Sequence, residues 1–374
     1  MKLFLFFLLI VQLSFSLQRR TDEIVFGSIK DRIFPGAAVV YGGLRMAPLK
    51  SFYGLLTYDA VALPVDSQTI FDLASLTKIM GTTMMTMLLY QDGFLKLDDL
   101  VCSFIPTFID GDKSSVTIKD LLTHVSGVQP DEKVFHIKVN SNETNAQAVI
   151  RHIIQLPLVS KPRTKVIYSC LNFYLLAHIN ELLARESQED FLQRRLFKPL
   201  GIHARYRIKE AERIMCAPTA IDLQGIVHDP LARFYGLEDG TPGNAGLFAC
   251  ADDMIPFCEM ILNGGYYCGK QILRKEVVDL MMHSHTFGLN KRRGLGFNIL
   301  DEYPFNSEYM HDDDFKTYIV GHTGYTGTMV WIDLLKKRYL IFLTNRVYPH
   351  DETSIVGVRK AILEELLDMR QMQC

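Results

Sequence analysis

Two residues on one predicted helix carry side chains suited to nucleophilic catalysis. Ser75 and Lys78 stand in the stretch S-L-T-K. A serine hydroxyl is a weak nucleophile that needs a neighbouring base, and positions i and i+3 of a helix share one face. Ser75 also opens the helix, where free N–H groups favour developing negative charge. An apolar setting disfavours an ammonium group, so we expect the pKa of Lys78 to be lowered and its amine to accept a proton. The simpler alternative makes Ser75 an N-cap.

A tyrosine in the middle of the chain is a second candidate. Tyr168 lies in the stretch I-Y-S-C, which comes directly before a helical pattern. Beside a cationic Lys78 its phenolate form would be favoured, so Tyr168 could share a proton with Ser75. The alternative is a core tyrosine at the entry of a helix.

A third candidate segment, G-H-T-G-Y at residues 321–325, precedes a predicted hairpin near the C-terminus. Glycines on a strand allow another backbone to approach closely, and an edge strand can bind an extended, peptide-like substrate. His322 and Thr323 would then contact a carboxylate or carbonyl group. The alternative is a plain turn with one exposed histidine.

The elements that must position these residues follow an order from strands to helices and back to strands. Strands are predicted at 36–43, 51–58, 326–333 and 338–344, and helices at 75–90, 117–124, 145–155, 171–185, 189–197 and 353–370. If the first and last strands pair, they form one antiparallel sheet against which a helical insertion, roughly 76–240, packs. The predicted fold class is α+β.

The N-terminal residues 1–16 have the anatomy of a cleaved secretory signal. Lys2 gives one positive charge, an apolar run follows to Leu13, and small residues stand at 14 and 16. A spanning helix needs about 20 apolar residues, and this run is shorter; the alternative is a membrane anchor. The sequence thus predicts an exported protein, periplasmic or extracellular, whose single domain covers 17–374 and has no stable membrane span after cleavage.

The composition argues against a nucleic-acid partner. The formal net charge is -2 and the pI is about 6.6. No block of like charges stands out. With 48% hydrophobic residues, the chain is long and apolar enough to bury one or two ordinary cores.

The three candidate segments, in this order, resemble the serine β-lactamase and penicillin-binding-protein superfamily in its class C-like branch. The family pattern is S-x-x-K, Y-x-N and then K-T-G or H-T-G. This chain has Ser75-x-x-Lys78, Tyr168-x-Cys170 and His322-Thr323-Gly324, and its stretches 71–74, 117–127, 198–201 and 243–248 are also family-like. The resemblance implies a DD-peptidase/β-lactamase-like fold, with an antiparallel sheet flanked by helices and an inserted, mostly helical region.

The resemblance also implies roles for individual residues. Ser75 would attack a carbonyl and become acylated, while Lys78 and Tyr168 move protons. The backbone N–H groups of Ser75 and Tyr325 would form the oxyanion hole. The residues expected to contact substrate are Cys170, His322, Thr323 and Gly324. The family chemistry needs neither a metal nor an organic cofactor.

Two of these positions depart from the common pattern. Cys170 replaces the asparagine that usually bonds the substrate amide, and a thiol is a weak hydrogen-bonding group, which puts efficient β-lactam hydrolysis in doubt. Asn172 lies two residues on and need not share that face. His322 in place of lysine would let the charge at that position vary near neutral pH.

Three functions remain open at this point. The first is a peptidoglycan-directed amidohydrolase, either a D-alanyl-D-alanine carboxypeptidase or a muramyl-L-alanine amidase, acting on small peptides or amides from the cell wall. The signal sequence and the family-like stretch 342–347 favour it. The second is a class C-like esterase, which needs no amide-binding asparagine. The third is a penicillin-binding or sensing protein with little turnover.

Overall fold

The computed structural model describes residues 18–300 and 319–368; the expected signal segment 1–16 lies outside them. Its strands are β1 Gly36–Gly43, β2 Met46–Gly54, β3 Phe71–Asp72, β4 Phe248–Ala249, β5 Tyr266–Tyr267, β6 Lys270–Gln271, β7 Asn298–Ile299, β8 Ile319–Thr323, β9 Met329–Asp333 and β10 Arg338–Thr344. Six of them form the main sheet, in the order β2-β1-β10-β9-β8-β7, with every pair antiparallel. Two short pairs, β3-β4 and β5-β6, stand apart from it.

The helical elements lie before, between and after these strands. They are α1 18–30, α2 Thr83–Gln91, α3 Val101–Phe104, α4 Ile118–Leu122, α5 Asn145–Gln155, α6 Leu171–Ala184, α7 Gln188–Leu192, α8 Lys198–Leu200, α9 Pro230–Tyr235, α10 Ala251–Leu262, α11 Lys275–Met282 and α12 Val356–Asp368. Two π-helical turns, Lys78–Thr82 and Gln193–Phe197, run directly into α2 and α8. Three short 3-10 segments are Gly111–Ser115, Val134–His136 and Glu210–Met215.

The first and last strands pair as the sequence predicts. β1 and β10 run antiparallel from Ala37 opposite Thr344 to Gly43 opposite Arg338, and both strands have the predicted bounds. The strand expected at 51–58 instead covers 46–54. The reason is the tight turn after Gly43, which places Met46 opposite that residue and so fixes the register of β2.

Helices cover both faces of the sheet, and successive residues of β10 show how. Leu340 and Phe342 pack with Val25 of α1 and Ile362 of α12. Ile341 and Leu343 face the larger core, which contains α2, α6 and α10. Side chains of a strand alternate between faces, so a strand buried between two layers is apolar throughout. The α+β prediction of an antiparallel sheet flanked by helices is confirmed.

Candidate active site

Ser75 stands on a strained turn between β3 and the helix that begins at residue 76. The preceding residue, Ala74, has a φ of +46°, a conformation that costs energy for any residue with a side chain. The Asp72 carboxylate holds this turn: it accepts hydrogen bonds from the backbone N–H of Ala74 at 2.8 Å and of His228 at 2.7 Å. Burial raises the pKa of Asp72 to about 6, against the lowering effect of those two N–H groups. The turn leaves Ser75 partly exposed among buried neighbours.

Lys78 lies one turn further along and is fully buried. Its Nζ donates to Ser75 Oγ at 3.0 Å, to the Asn244 carbonyl at 2.9 Å and to Cys170 Sγ at 3.5 Å. Lys78 opens the π-helical turn Lys78–Thr82; such turns are frequent at functional sites. The structure therefore brings both Ser75 and Cys170 into direct contact with Lys78.

The expected lowering of the Lys78 pKa is wrong. Burial alone would lower this pKa, but the neighbouring Cys170 and Tyr168 raise it more, and the net shift is upward. The physical reason is that polar atoms surround Nζ, whereas the helix pattern suggested an apolar setting. The three acceptors around Nζ, which are Ser75 Oγ, the Asn244 carbonyl and Cys170 Sγ, favour the ammonium form of Lys78.

Tyr168 lies at the centre of the cluster. Its ring centre is 5.1 Å from Lys78 Nζ and 5.6 Å from Arg293 Cζ. The rings of His124 and His322 lie 4.7 Å and 5.7 Å away, centre to centre. Burial raises the pKa of Tyr168; the Lys78 charge and hydrogen bonds from Lys78 and Ser75 lower it, and the net shift is upward. Lys78 thus favours the phenolate as expected, but burial has the larger effect.

Cys170 and Asn172 point to different places. Cys170 faces Lys78, and its backbone N–H donates to the Pro130 carbonyl at 2.6 Å just before α6 begins. Asn172 is buried: it accepts from Ser126 Oγ at 2.7 Å and donates to the Leu121 carbonyl at 3.2 Å. Asn172 therefore cannot replace the amide that is missing at position 170.

The end of β8 is tied to the segment that carries Ser75. Thr326 Oγ1 donates to the Asp72 carbonyl at 2.7 Å, and Thr328 Oγ1 donates to the Leu73 carbonyl at 3.0 Å. A Cβ added to Gly324 would lie 2.5 Å from the Leu73 oxygen. Only glycine allows this close approach, so the His322-Thr323-Gly324 segment lies directly beside the Ser75 turn.

His322 is buried, and its charge does not vary near neutral pH. Burial and the charges of Lys78 and Arg293 lower its pKa well below the ordinary value, so the expectation of a titrating group here is wrong. Its Nδ1 pairs with the Thr323 carbonyl at 2.8 Å. Nδ1 is thus the donor, and the buried Nε2 is an acceptor with no hydrogen-bond partner among the described residues. Thr323 is partly exposed.

The backbone N–H groups of Ser75 and Tyr325 have no protein acceptor within residues 18–300 and 319–368. Tyr325 is firmly held. Its carbonyl accepts from Arg346 Nε at 3.2 Å and Nη2 at 3.0 Å. Its ring centre lies 5.8 Å from that of His228 and 5.0 Å from Arg346 Cζ, and its hydroxyl donates to Asp351.

Sequence reasoning missed two residues that contact Tyr168. His124 lies in the family-like stretch 117–127; its buried Nδ1 accepts from the Ser169 N–H at 3.0 Å, and burial holds its pKa well below the ordinary value. The family-like stretch could have identified His124 as a site residue. No sequence pattern marks Arg293, because only the tertiary fold brings it to Tyr168.

Comparison with known proteins agrees with this arrangement. The β-lactamase family profile matches residues 29–362, so the chain belongs to the β-lactamase family. It is 29% identical over 367 residues to the N-acetylmuramyl-L-alanine amidase of Bacillus subtilis (strain 168), covering 88% of this chain and 80% of the relative. It is 28% identical over 349 residues to the "Putative D-alanyl-D-alanine carboxypeptidase" of Escherichia coli (strain K12), covering 84% and 74%.

Solved structures share the fold at low identity. A class C β-lactamase superposes with a TM-score of 0.75 at 15% identity, covering 95% of this chain and 96% of that one. EstCE1, a hydrolase with promiscuous acyltransferase activity, gives 0.72 at 21% identity, covering 94% and 99%. The resemblance to the serine β-lactamase superfamily is confirmed, and the protein is a serine hydrolase of this family. The solved structures show that it shares the fold of class C β-lactamases. Within the described part of the chain, no helix is long and apolar enough to cross a membrane.

Proposed function

We propose that this protein is an exported serine hydrolase that forms an acyl-enzyme on Ser75 and cleaves small peptides or amides derived from peptidoglycan. The contact of the buried Lys78 ammonium with Ser75 Oγ at 3.0 Å, beside Tyr168, carries this proposal. The names of the amidase and carboxypeptidase relatives support the substrate class.

In the acylation step, Ser75 Oγ attacks the substrate carbonyl carbon and a C–O bond forms. The serine proton passes to the Tyr168 phenolate, whose charge the Lys78 ammonium stabilises. Because burial raises the pKa of Tyr168, this phenolate is the minor form at neutral pH. The N–H groups of Ser75 and Tyr325 donate to the developing oxyanion; a donor of this kind contributes about 3 kcal/mol.

The tetrahedral intermediate then breaks down, and the proton taken from Ser75 goes to the leaving group. The bond from the carbonyl carbon to the leaving nitrogen breaks, and Tyr168 gives that nitrogen the proton taken from Ser75. A water molecule next attacks the acyl carbon while Tyr168 accepts its proton. The bond from the acyl carbon to Ser75 Oγ then breaks, and Tyr168 returns that proton to Oγ as the acid leaves. The expected edge strand is not fully open, because β7 pairs with β8 at Val320 and Gly321. The substrate would lie beyond that pairing, lined by His322, Thr323, Gly324 and Cys170. The cycle uses no metal or organic cofactor.

An esterase is the second candidate, and Cys170 favours it. A thiol leaves a substrate amide poorly paired, and an unpaired buried polar group costs about 1–3 kcal/mol. An ester has no N–H to satisfy, so the same Ser75, Lys78 and Tyr168 can act on it without that loss.

Mass spectrometry of muropeptides digested with the purified mature protein tests the proposal, with Ser75→Ala as the control. Loss of terminal D-alanine would identify a carboxypeptidase, and separation of the peptide from muramic acid would identify an amidase. Turnover of p-nitrophenyl esters alone would indicate the esterase. Labelling by a fluorescent penicillin without any turnover would indicate a binding or sensing protein.

Export is tested separately. N-terminal sequencing of protein made in its native host should start near Leu17, after the signal segment has been removed. A retained Met1 in a membrane fraction would instead support an uncleaved anchor.

A further inference from the structure

Arg293 brings a second cation to Tyr168 from a distant part of the chain. Its guanidinium carbon lies 5.6 Å from the Tyr168 ring centre, and the residue is only 7% exposed. A hydrogen bond to the Asn298 side chain holds the guanidinium, and the Arg293 backbone N–H donates to Thr286 Oγ1 at 2.8 Å. The cation is therefore built into the site rather than attached loosely at its edge.

The groups around Tyr168 show why a second cation matters. Those that face it from the surrounding elements are Ser75, Lys78, His124, Cys170, Arg293 and His322. Both histidines are buried and neutral, because burial and nearby cations hold their pKa values well below the ordinary one. The positive charge in this set therefore comes from Lys78 and Arg293. Lys78 Nζ also donates hydrogen bonds to Ser75 Oγ and to the Asn244 carbonyl, so its charge is shared among several acceptors.

We propose that Arg293 is a positioning residue that acts through Tyr168, where its guanidinium stabilises negative charge on the phenolic oxygen during proton transfer from Ser75. The inference rests on the proposed role of Tyr168. A cation over an aromatic face is attracted to the ring, and the attraction is stronger where water is excluded. A phenolate adds a full negative charge to the ring, and a cation attracts that charge more strongly where the effective dielectric constant is low.

Loss of the guanidinium charge should make the Tyr168 phenolate scarcer at any given pH. The phenolate fraction falls about tenfold for each unit by which the pKa rises. We therefore expect Arg293→Gln to lower kcat/KM about tenfold at neutral pH and to move the rising limb of the pH–rate profile about one unit towards alkaline pH. Arg293→Lys keeps the charge and should restore most of the loss.

The substrate for this test must be uncharged, and p-nitrophenyl butyrate is suitable. If Arg293 instead binds a substrate carboxylate, Arg293→Gln will leave kcat/KM on this ester unchanged and will raise KM only for substrates that carry a carboxylate. That result would overturn the proposal. Lys291→Gln is the matched control, because it removes an exposed positive charge two residues away, and it should leave the profile unchanged.

A direct titration of Tyr168 separates failure of this inference from failure of the proposed function. Tyrosine labelled with 13C at Cζ reports ionisation by NMR without turnover, and Tyr168→Phe identifies the signal by its loss. The expected result is that Arg293→Gln moves this titration to higher pH together with the rate profile. An unmoved titration would overturn the role of Arg293. A moved titration with an unmoved rate profile would show that Tyr168 is not the base.

If Arg293→Gln fails to fold, as judged by circular dichroism and melting temperature, Arg293→Met carries the test in the same titration, because methionine keeps an unbranched side chain and removes the charge. A titration of Tyr168 that moves to higher pH supports the proposal. A titration that stays at the wild-type position contradicts it.

Discussion

The two walls of the site are built on different principles. The helical wall, with Ser75, Lys78, Tyr168 and Cys170, is a network of side chains in which every ionisable group alters the pKa of its neighbour. The strand wall, at 322–325, is fixed mainly by backbone contacts such as the close approach of Gly324 to Leu73. The helical wall therefore sets protonation, and the strand wall sets geometry. Changes to the first should alter pH dependence, and changes to the second should alter kcat at every pH.

Loss of the nucleophile should have the largest effect. Ser75→Ala removes the atom that attacks, and we expect activity on amides and esters to fall by about 10³-fold or more, because a covalent route is lost. Thermal unfolding should show a folded protein of near-normal melting temperature. A variant that kept more than a few per cent of wild-type kcat/KM on any substrate would show that another residue is the nucleophile.

The protonation state of the helical wall predicts the pH dependence. Both shifts are upward, so at neutral pH Lys78 is an ammonium group and Tyr168 is mostly a neutral phenol. The base form of Tyr168 then grows about tenfold per pH unit, and log kcat/KM should rise with a slope near one from pH 6 to 8. Steady-state kinetics on an uncharged ester measure this slope. A flat profile over that range would mean that the active form already dominates at pH 6.

Gly324→Ala tests the strand wall. The new Cβ would collide with the Leu73 oxygen at 2.5 Å and with Thr328 Oγ1 at 2.1 Å, which forces β8 away from the Ser75 turn. We expect kcat to fall between ten- and a hundredfold, because small misplacements of reacting groups are costly, with no change in the shape of the pH profile. Gly357→Ala is the control: its Cβ would meet nothing within 4 Å, and alanine stabilises a helix by up to about 1 kcal/mol relative to glycine.

The sequence predicted the frame of the fold better than the electrostatics of the site. The run 338–344 identified a central strand because it is apolar throughout, and the spacing of Ser75 and Lys78 identified their contact because helix geometry is local. The pKa of Lys78 could not be predicted from the sequence, because it is not a local property. It depends on Cys170 and Tyr168, which only the tertiary fold brings to Nζ. The position of Arg293 is equally non-local.

Cys170→Asn should sharpen the distinction between amide and ester substrates. Cys170 faces Lys78 rather than the helical core, so an asparagine there would offer the amide group that the thiol lacks. Pairing the substrate amide should raise kcat/KM on an amide or on nitrocefin about tenfold relative to a p-nitrophenyl ester, since an unsatisfied amide costs about 1–3 kcal/mol. An unchanged ratio, or a fall on both substrates with a lower melting temperature, would remove Cys170 from substrate recognition.

Arg346→Lys should give the smallest effect, and it tests whether the strand wall extends beyond β8 itself. Arg346 donates twice to the Tyr325 carbonyl and covers its ring, which fixes the neighbouring N–H proposed for the oxyanion hole. Lysine keeps the charge but cannot reproduce the two-pronged contact. If the Tyr325 N–H loses about 1 kcal/mol of its transition-state contribution, kcat falls about fivefold while KM stays the same.

Arg32→Lys is a matched control, because Arg32 lies over the Tyr58 ring at 4.1 Å on an exposed surface, and it should leave kcat unchanged. A change in KM alone for Arg346→Lys would mean that Arg346 binds substrate rather than holding Tyr325 in place.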